Sequence, residues 1–172
     1  MTLAVAHKSS DGKAVLDLVR EVRPKFNPES VTAEFCAILQ SYRITKVVGD
    51  RYAGEWPRER FHVHGKIYQI SAKVKSDIYQ ALLPILNSNN AELFELPRMF
   101  SQFLGLERRT ARGGRDSIDH SPGGHDDIAN AVGGALVLAY SNPSGPRVHA
   151  IGVPSFGSRL IFESDSAWLG KQ

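Results

Sequence analysis

The residues best placed to do chemistry lie in Gly123-Gly124-His125-Asp126-Asp127-Ile128-Ala129-Asn130-Ala131. Two glycines close a polar loop, two adjacent carboxylates follow, and the chain from Ile128 to Tyr140 is almost entirely small or apolar. That pattern predicts a buried helix that opens with its acids. Such acids have an ordinary use: they accept hydrogen bonds from the free N–H groups of the first turn and complement the helix dipole. Taken alone, His125-Asp126-Asp127 is more often a cap than a site. A second acid shifts the balance. Ile44-Thr45-Lys46-Val47-Val48-Gly49-Asp50 is a short β-branched run ending in an acid, which puts a carboxylate at the C-terminal edge of a strand, where open α/β sheets build their sites. A strand-end acid facing helix-start acids is an oxygen cage for a hard divalent cation. A pair of such cations can activate water and stabilise the leaving oxygen in phosphodiester hydrolysis.

The elements that must position these acids can be read along the chain. Thr2 to His7 and Ala14 to Val22 read as two strands joined by the turn Ser9-Ser10-Asp11-Gly12, a hairpin. Pro24 and Pro28 punctuate, and Ser30 is the expected cap of a helix with Val31, Phe35, Ile38, Leu39 and Tyr42 at helical spacing. The Asp50 strand follows, so the order β-β-α-β suggests a mixed sheet. A short helix through Phe61 to His64, a strand from Lys66 to Ile70 and a helix capped by Ser76-Asp77 come next. Leu93-Phe94 reads as a short strand, and Pro97 as the start of a helix to about Leu106. Arg108, Arg109, Arg112 and Arg115 then fall within eight residues around a Gly-Gly turn, a basic hairpin or loop beside the acid motif. Solvation explains such arginines as readily as phosphate binding does. From Ser141 onward a breaker cluster and scattered apolar residues without a period read as a partly disordered tail over residues 141–172, leaving residues 1–140 as the domain.

Composition bounds the partners. In 172 residues, 42% hydrophobic and 23% charged is ordinary for one globular domain, and a net charge of +3 mildly favours a polyanion. Cys36 is the only cysteine and sits in an apolar helical pattern, so a disulfide framework is excluded and a core role expected. No stretch reaches the ~18 apolar residues of a membrane span, and no signal-peptide pattern opens the chain, so a cytoplasmic protein is expected. His7, His62, His64, His120 and His149 lack metal-ligand spacing as a group and read as surface or turn residues. His125, by its position, could orient an acid or touch a polyanion. Lys75 reads as solvated, or as a phosphate contact if it lies near Asp50.

Val47 to Trp56, Lys75-Ser76-Asp77-Ile78-Tyr79, Leu106-Glu107-Arg108-Arg109-Thr110 and Gly124 to Ala131 together resemble the C-terminal nuclease domain of the large terminase subunit of tailed bacteriophages and prophages. The resemblance runs from about Thr2 to Tyr140. It implies a ribonuclease H-like mixed α/β sheet flanked by helices, two Mg²⁺ or Mn²⁺ ions, and endonucleolytic cutting of concatemeric double-stranded DNA during genome packaging. It implies a small terminase subunit and a portal protein as partners. By motif position, Asp50 would be the second metal-binding acid and Asp126/Asp127 the third.

Two departures follow. Related sequences often carry Asp where Asn130 stands, so one ligand position is neutral here. The first catalytic acid of the family lies at the end of a strand preceding the one that corresponds to Thr2 to His7, and the chain starts after it. In a sheet ordered 3-2-1-4-5 that strand is central, and its loss is expected to leave two edges without partners. No Gly-x-x-x-x-Gly-Lys-Ser/Thr loop is present, so no ATP site is expected. The alternative is a noncatalytic DNA-binding or assembly remnant of a prophage terminase; another ribonuclease H-like enzyme, such as a junction resolvase, is a third reading.

Overall fold

The computed structural model describes residues 1–49, 56–110, 116–142 and 149–153. The chain opens with a hairpin of β1 (Thr2–Lys8) and β2 (Ala14–Glu21), antiparallel from Thr2↔Glu21 to Lys8↔Ala14, with a bulge between Val5 and Ala6. Its turn is closed by Ser9 and Lys13, and Gly12 supplies the positive φ of 91°. α1 (Pro28–Ser41) follows. It begins two residues before the expected cap Ser30, because Pro28 presets the helical φ and Asn27 caps it.

β3 (Lys46–Gly49), α2 (Trp56–Val63), β4 (Ile67–Ile70) and α3 (Lys75–Asn87) come next. Ser76 and Asp77 do not cap α3; Val74 holds the cap position without a side-chain bond, and Ser76 is used elsewhere. β5 (Ala91–Glu92) pairs parallel with Ala14 and Val15, two residues before the expected Leu93-Phe94 strand. The Asn90 carbonyl, bonded by the Ala14 N–H at 2.9 Å, brings the chain onto the sheet early. α4 (Pro97–Leu104), β6 (Leu106–Thr110), β7 (Asp116–His120), α5 (Asp127–Tyr140) and β8 (His149–Val153) complete the order. β6 and β7 form the expected hairpin as a separate two-stranded sheet.

The main sheet has the order β4-β3-β8-β1-β2-β5. β8 runs antiparallel to β1 and parallel to β3, with Thr2↔Val153, Val48↔Ile151 and Gly49↔Gly152 opposite one another. The central place expected to stand empty is therefore filled by residues that the sequence assigns to a tail. The expectation of two unpartnered edges is corrected: β1 and β3 both pair with β8, and the edges are β4 and β5. Residues 143–148 and 154–172 of the expected tail lie outside the described residues.

Because β1 is central it is buried on both faces, and its alternation serves two cores. Ala4 and Ala6 face the layer of α3, α4 and α5, packing with Leu82, Ile85, Met99, Ile128, Val132 and Leu136. Leu3 and Val5 face α1 and α2, with Phe35, Leu39, Val47, Phe61 and Tyr68. Cys36 lies in this second core as expected, and burial pushes its thiol up to about 11. α5 is buried nearly all round, from Ile128 to Val137 without interruption, and small residues let it approach β1. A Cβ at Gly133 would stand 3.3 Å from Leu82. No helix among the described residues is long and apolar enough to cross a membrane.

Candidate metal centre at the mouth of helix α5

Three elements finish at one end of the sheet: β3 at Gly49, β8 at Val153, and β1 at its start, Thr2, opposite Val153. The N-terminus of α5 opens at the same end. Thr2, His120, His125, Asp126 and Asp127 share a cleft of about 530 Å³ there. A Cβ at Gly49 would lie 2.0 Å from the Tyr68 hydroxyl oxygen, so a side chain there would have to displace the Tyr68 ring. Asp50, the next residue in sequence, lies outside the described residues.

Asp126 occupies the cap position of α5 yet makes no side-chain cap bond. The free N–H groups of Ile128 and Ala129 are taken instead by Gln102 Oε1 from α4, at 2.8 and 3.0 Å. Gln102 is buried, so these donors are satisfied without water. The Asp126 carboxylate, only 8% exposed as a residue, is thereby released to face the cleft. Its Oδ2 accepts from the Tyr79 hydroxyl at 2.9 Å and lies 3.0 Å from Lys75 Nζ. Burial, together with the Asp126 charge, pushes the Tyr79 phenol far above its ordinary range, so it stays a neutral donor.

Lys75 Nζ also donates to Asp119 Oδ1 at 2.5 Å, tying β7 to the mouth of α5 through the first residue of α3. Ser76 fixes the register beside it: the Ile118 N–H donates to Ser76 Oγ at 2.9 Å. Burial opposes the charge on Lys75, but its hydrogen bonds to Asp119 and Asp126 outweigh that and raise its pKa. Burial likewise works against the Asp119 carboxylate, and the Lys75 ammonium with the His120 N–H still holds it below the usual range. Asp119, His120 and Asp126 each bring one donor atom within 4.8 Å of the others.

This donor set, two carboxylates and an imidazole, suits a divalent cation, and the structure already holds a positive charge, the Lys75 ammonium, against both acids. Thr2 Oγ1, fully buried in the cleft wall, has no hydrogen-bond partner among the described residues.

Of the residues singled out by sequence, Asp126 and Lys75 come together, and Asp127 and His125 line the same cleft. Asn130, 7% exposed, lies one turn behind Asp126, with its N–H bonded to the Asp126 carbonyl at 2.7 Å and its Oδ1 without a partner. Reading Lys75 as solvated is corrected: it is the bridge between two acids. His120, expected as a surface or turn residue, ends strand β7 with its side chain 37% exposed, and it also borders Asp119, its Nε2 at 3.7 Å. Arg108 and Arg109 are split by strand alternation. Arg109 shares the Asp119 face, bonded to Glu107 at 3.0 Å and to the His120 carbonyl at 3.3 Å. Arg108 turns to the other face and lines a groove with Ile118, Leu83 and Phe103. Arg112 and Arg115 lie outside the described residues. Asp119, Tyr79 and Gln102 were not read as functional. The available signal was the acid Asp119 on the strand feeding straight into the Gly123-Gly124 loop, and Tyr79 one helical turn after Lys75.

The fold is similar to that of the large terminase nuclease from thermophilic phage G20c, with a TM-score of 0.64 at 19% identity over 81% of this chain and 75% of that one. The same nuclease with bound magnesium gives 0.62 at 19% identity over 81% and 74%, and with bound cobalt 0.60 at 19% over 74% and 68%. No family model matches the chain, and no curated protein matches its sequence. The architecture is therefore terminase-nuclease-like, a ribonuclease H-like α/β sheet, as the sequence motifs imply.

Proposed function

From that fold we propose that the chain is a metal-dependent endonuclease domain of the phage large terminase type, with double-stranded DNA as substrate. The observation that carries the reading is the buried Asp126 carboxylate: Gln102 has taken over its capping work, and it faces Asp119 and His120 at the sheet end where β3 and β8 finish. Mg²⁺ or Mn²⁺ held there would supply an activated water and charge neutralisation at the leaving oxygen. Asp126 is the principal ligand of this proposal, with Asp119 beside it and Asp50 and Asp127 completing the oxygen set. Tyr79 fixes the Asp126 carboxylate from beneath, and His120 and His125 border the cleft where a scissile phosphate would lie. Arg109, with Arg108, Arg112 and Arg115, is proposed to meet DNA phosphates, a contact independent of base sequence. Cutting of concatemeric phage or prophage DNA in a bacterial cytoplasm, beside a small terminase subunit and a portal protein, belongs to the same reading.

One observation favours a second reading. The sequence leaving β8 is Pro154-Ser155-Phe156-Gly157-Ser158, with no carboxylate before Glu163, so the strand end next to β3 is not followed by an acid. A noncatalytic DNA-binding or assembly remnant would keep the cleft without the chemistry. Plasmid nicking in Mn²⁺ separates the two. Nicking that disappears in EDTA and in Asp126→Asn supports the enzyme, whereas salt-sensitive DNA binding with no nicking supports the remnant.

A further inference from the structure

Lys75 stands at the worst place in α3 for a positive charge. It is the first helical residue, where the macrodipole is positive and the cap position Val74 offers no side-chain acceptor. What holds it there is the pair of acids, Asp119 Oδ1 at 2.5 Å and Asp126 Oδ2 at 3.0 Å, brought in by β7 and the mouth of α5. We propose that Lys75 is a built-in counter-cation: its ammonium occupies, in the metal-free chain, the carboxylate oxygens a divalent cation needs, and leaves them when the cation binds. This rests on the metal-binding reading above and adds that Lys75 sets the affinity of the site.

At Asp119 Oδ1 and Asp126 Oδ2 the ammonium and a divalent ion compete for the same oxygens. Carboxylates this close repel when bare, so the metal-free fold needs a positive charge between them. Asp126 Oδ2 already accepts from Tyr79, and with Lys75 both of its lone pairs are used. A divalent ion bonding that oxygen must displace one partner. Tyr79 is neutral and buried, whereas Lys75 repels the ion and its side chain is 31% exposed. Its flexible stem can turn to solvent with no change in the backbone. Lys66 shows the contrast: 4% exposed, it is locked by the uncharged acceptors Gln40 Oε1 at 2.9 Å and the Ile44 carbonyl at 2.8 Å. Lys66 has the partners of a structural lysine; Lys75 has those of a placeholder.

The test is Mn²⁺ titration by calorimetry, with melting curves with and without Mn²⁺, on the native chain, Lys75→Gln and Lys75→Met. Both variants should melt lower than the native chain without metal, bind Mn²⁺ at least tenfold more tightly, and show a larger Mn²⁺-induced rise in Tm. A native chain that binds no Mn²⁺ beside variants that do also supports the placeholder. If the native chain binds Mn²⁺ and the variants bind it equally or more weakly, the Lys75 proposal falls while the metal site stands. If neither native chain nor variants bind, the metal reading falls and this proposal with it. Should the variants be unfolded without metal, folding on Mn²⁺ addition supports the proposal, and failure to fold with Mn²⁺ overturns it.

Discussion

Helices α1 and α5 open in opposite ways. At α1, Asn27 caps its own helix, accepting from the Glu29 N–H at 2.9 Å and the Ser30 N–H at 3.4 Å, on the exposed surface. At α5 the residue in the same position, Asp126, makes no such bond, and a glutamine from α4 does the work. A polar residue at a helix start is free for chemistry only when something else satisfies the first-turn donors. The two mouths therefore differ less in their own residues than in what lies behind them: solvent at α1, and a buried amide at α5.

The largest way to break that contrast is Gln102→Leu. It leaves the Ile128 and Ala129 N–H groups buried and unpaired, at about 1–3 kcal/mol each, less whatever Asp126 recovers by turning back to cap. We expect a loss of roughly 2–4 kcal/mol in urea unfolding, with weakened Mn²⁺ binding. An unchanged Mn²⁺ affinity would mean that Asp126 does not depend on the borrowed cap. Tyr79→Phe is the next step down. Removing a hydrogen bond to a charged group costs roughly 1.5–3 kcal/mol, and the same melts should show it, with Asp126 less well fixed. Asn27→Ala, the matching change at the other mouth, should cost about 1 kcal/mol and leave Mn²⁺ binding untouched.

The smallest effect concerns acid. Asp119 is held below its ordinary carboxylate range in the folded chain, so its contribution to stability is present above the unfolded value near ~3.9 and is lost as pH falls through the folded value. Melts of the native chain and Asp119→Asn at pH 6 and pH 3 should converge at the lower pH. The gap will be modest because the Asp119 side chain is 44% exposed. A gap that widens toward pH 3 would contradict the Lys75 contact as its cause.

What could be read from the sequence was local. The β1–β2 hairpin follows from alternation and a Gly12 turn, and α5 from an apolar run behind two acids, so both emerge close to expectation. Asp126 was legible as a candidate, but not the reason it is available, because Gln102 lies on another helix and glutamine carries no signal as a cap at a distance. Asp119 and Lys75 look solvated in isolation; only the packing of β7 and α3 against the mouth of α5 pairs them. β8 was missed for a related reason. Five residues, His149-Ala150-Ile151-Gly152-Val153, carry too little period to mark a strand, and its place between β1 and β3 is set by pairings across almost the whole chain. Asp50, on which the two-acid argument also leaned, lies outside the described residues, as do Arg112 and Arg115 of the basic loop.

The central claim is that the Asp126 carboxylate, relieved of capping, is there to hold a divalent cation. The most direct test is the shift in Tm on adding Mn²⁺ to the native chain and to Asp126→Asn, with Asn27→Ala as the control at the other mouth, since a ligand that binds only the folded state raises its melting temperature. The account predicts a clear upward shift for the native chain and the control, and none for Asp126→Asn. An equal shift in all three, or no shift in any of them and none in Lys75→Gln, would contradict it.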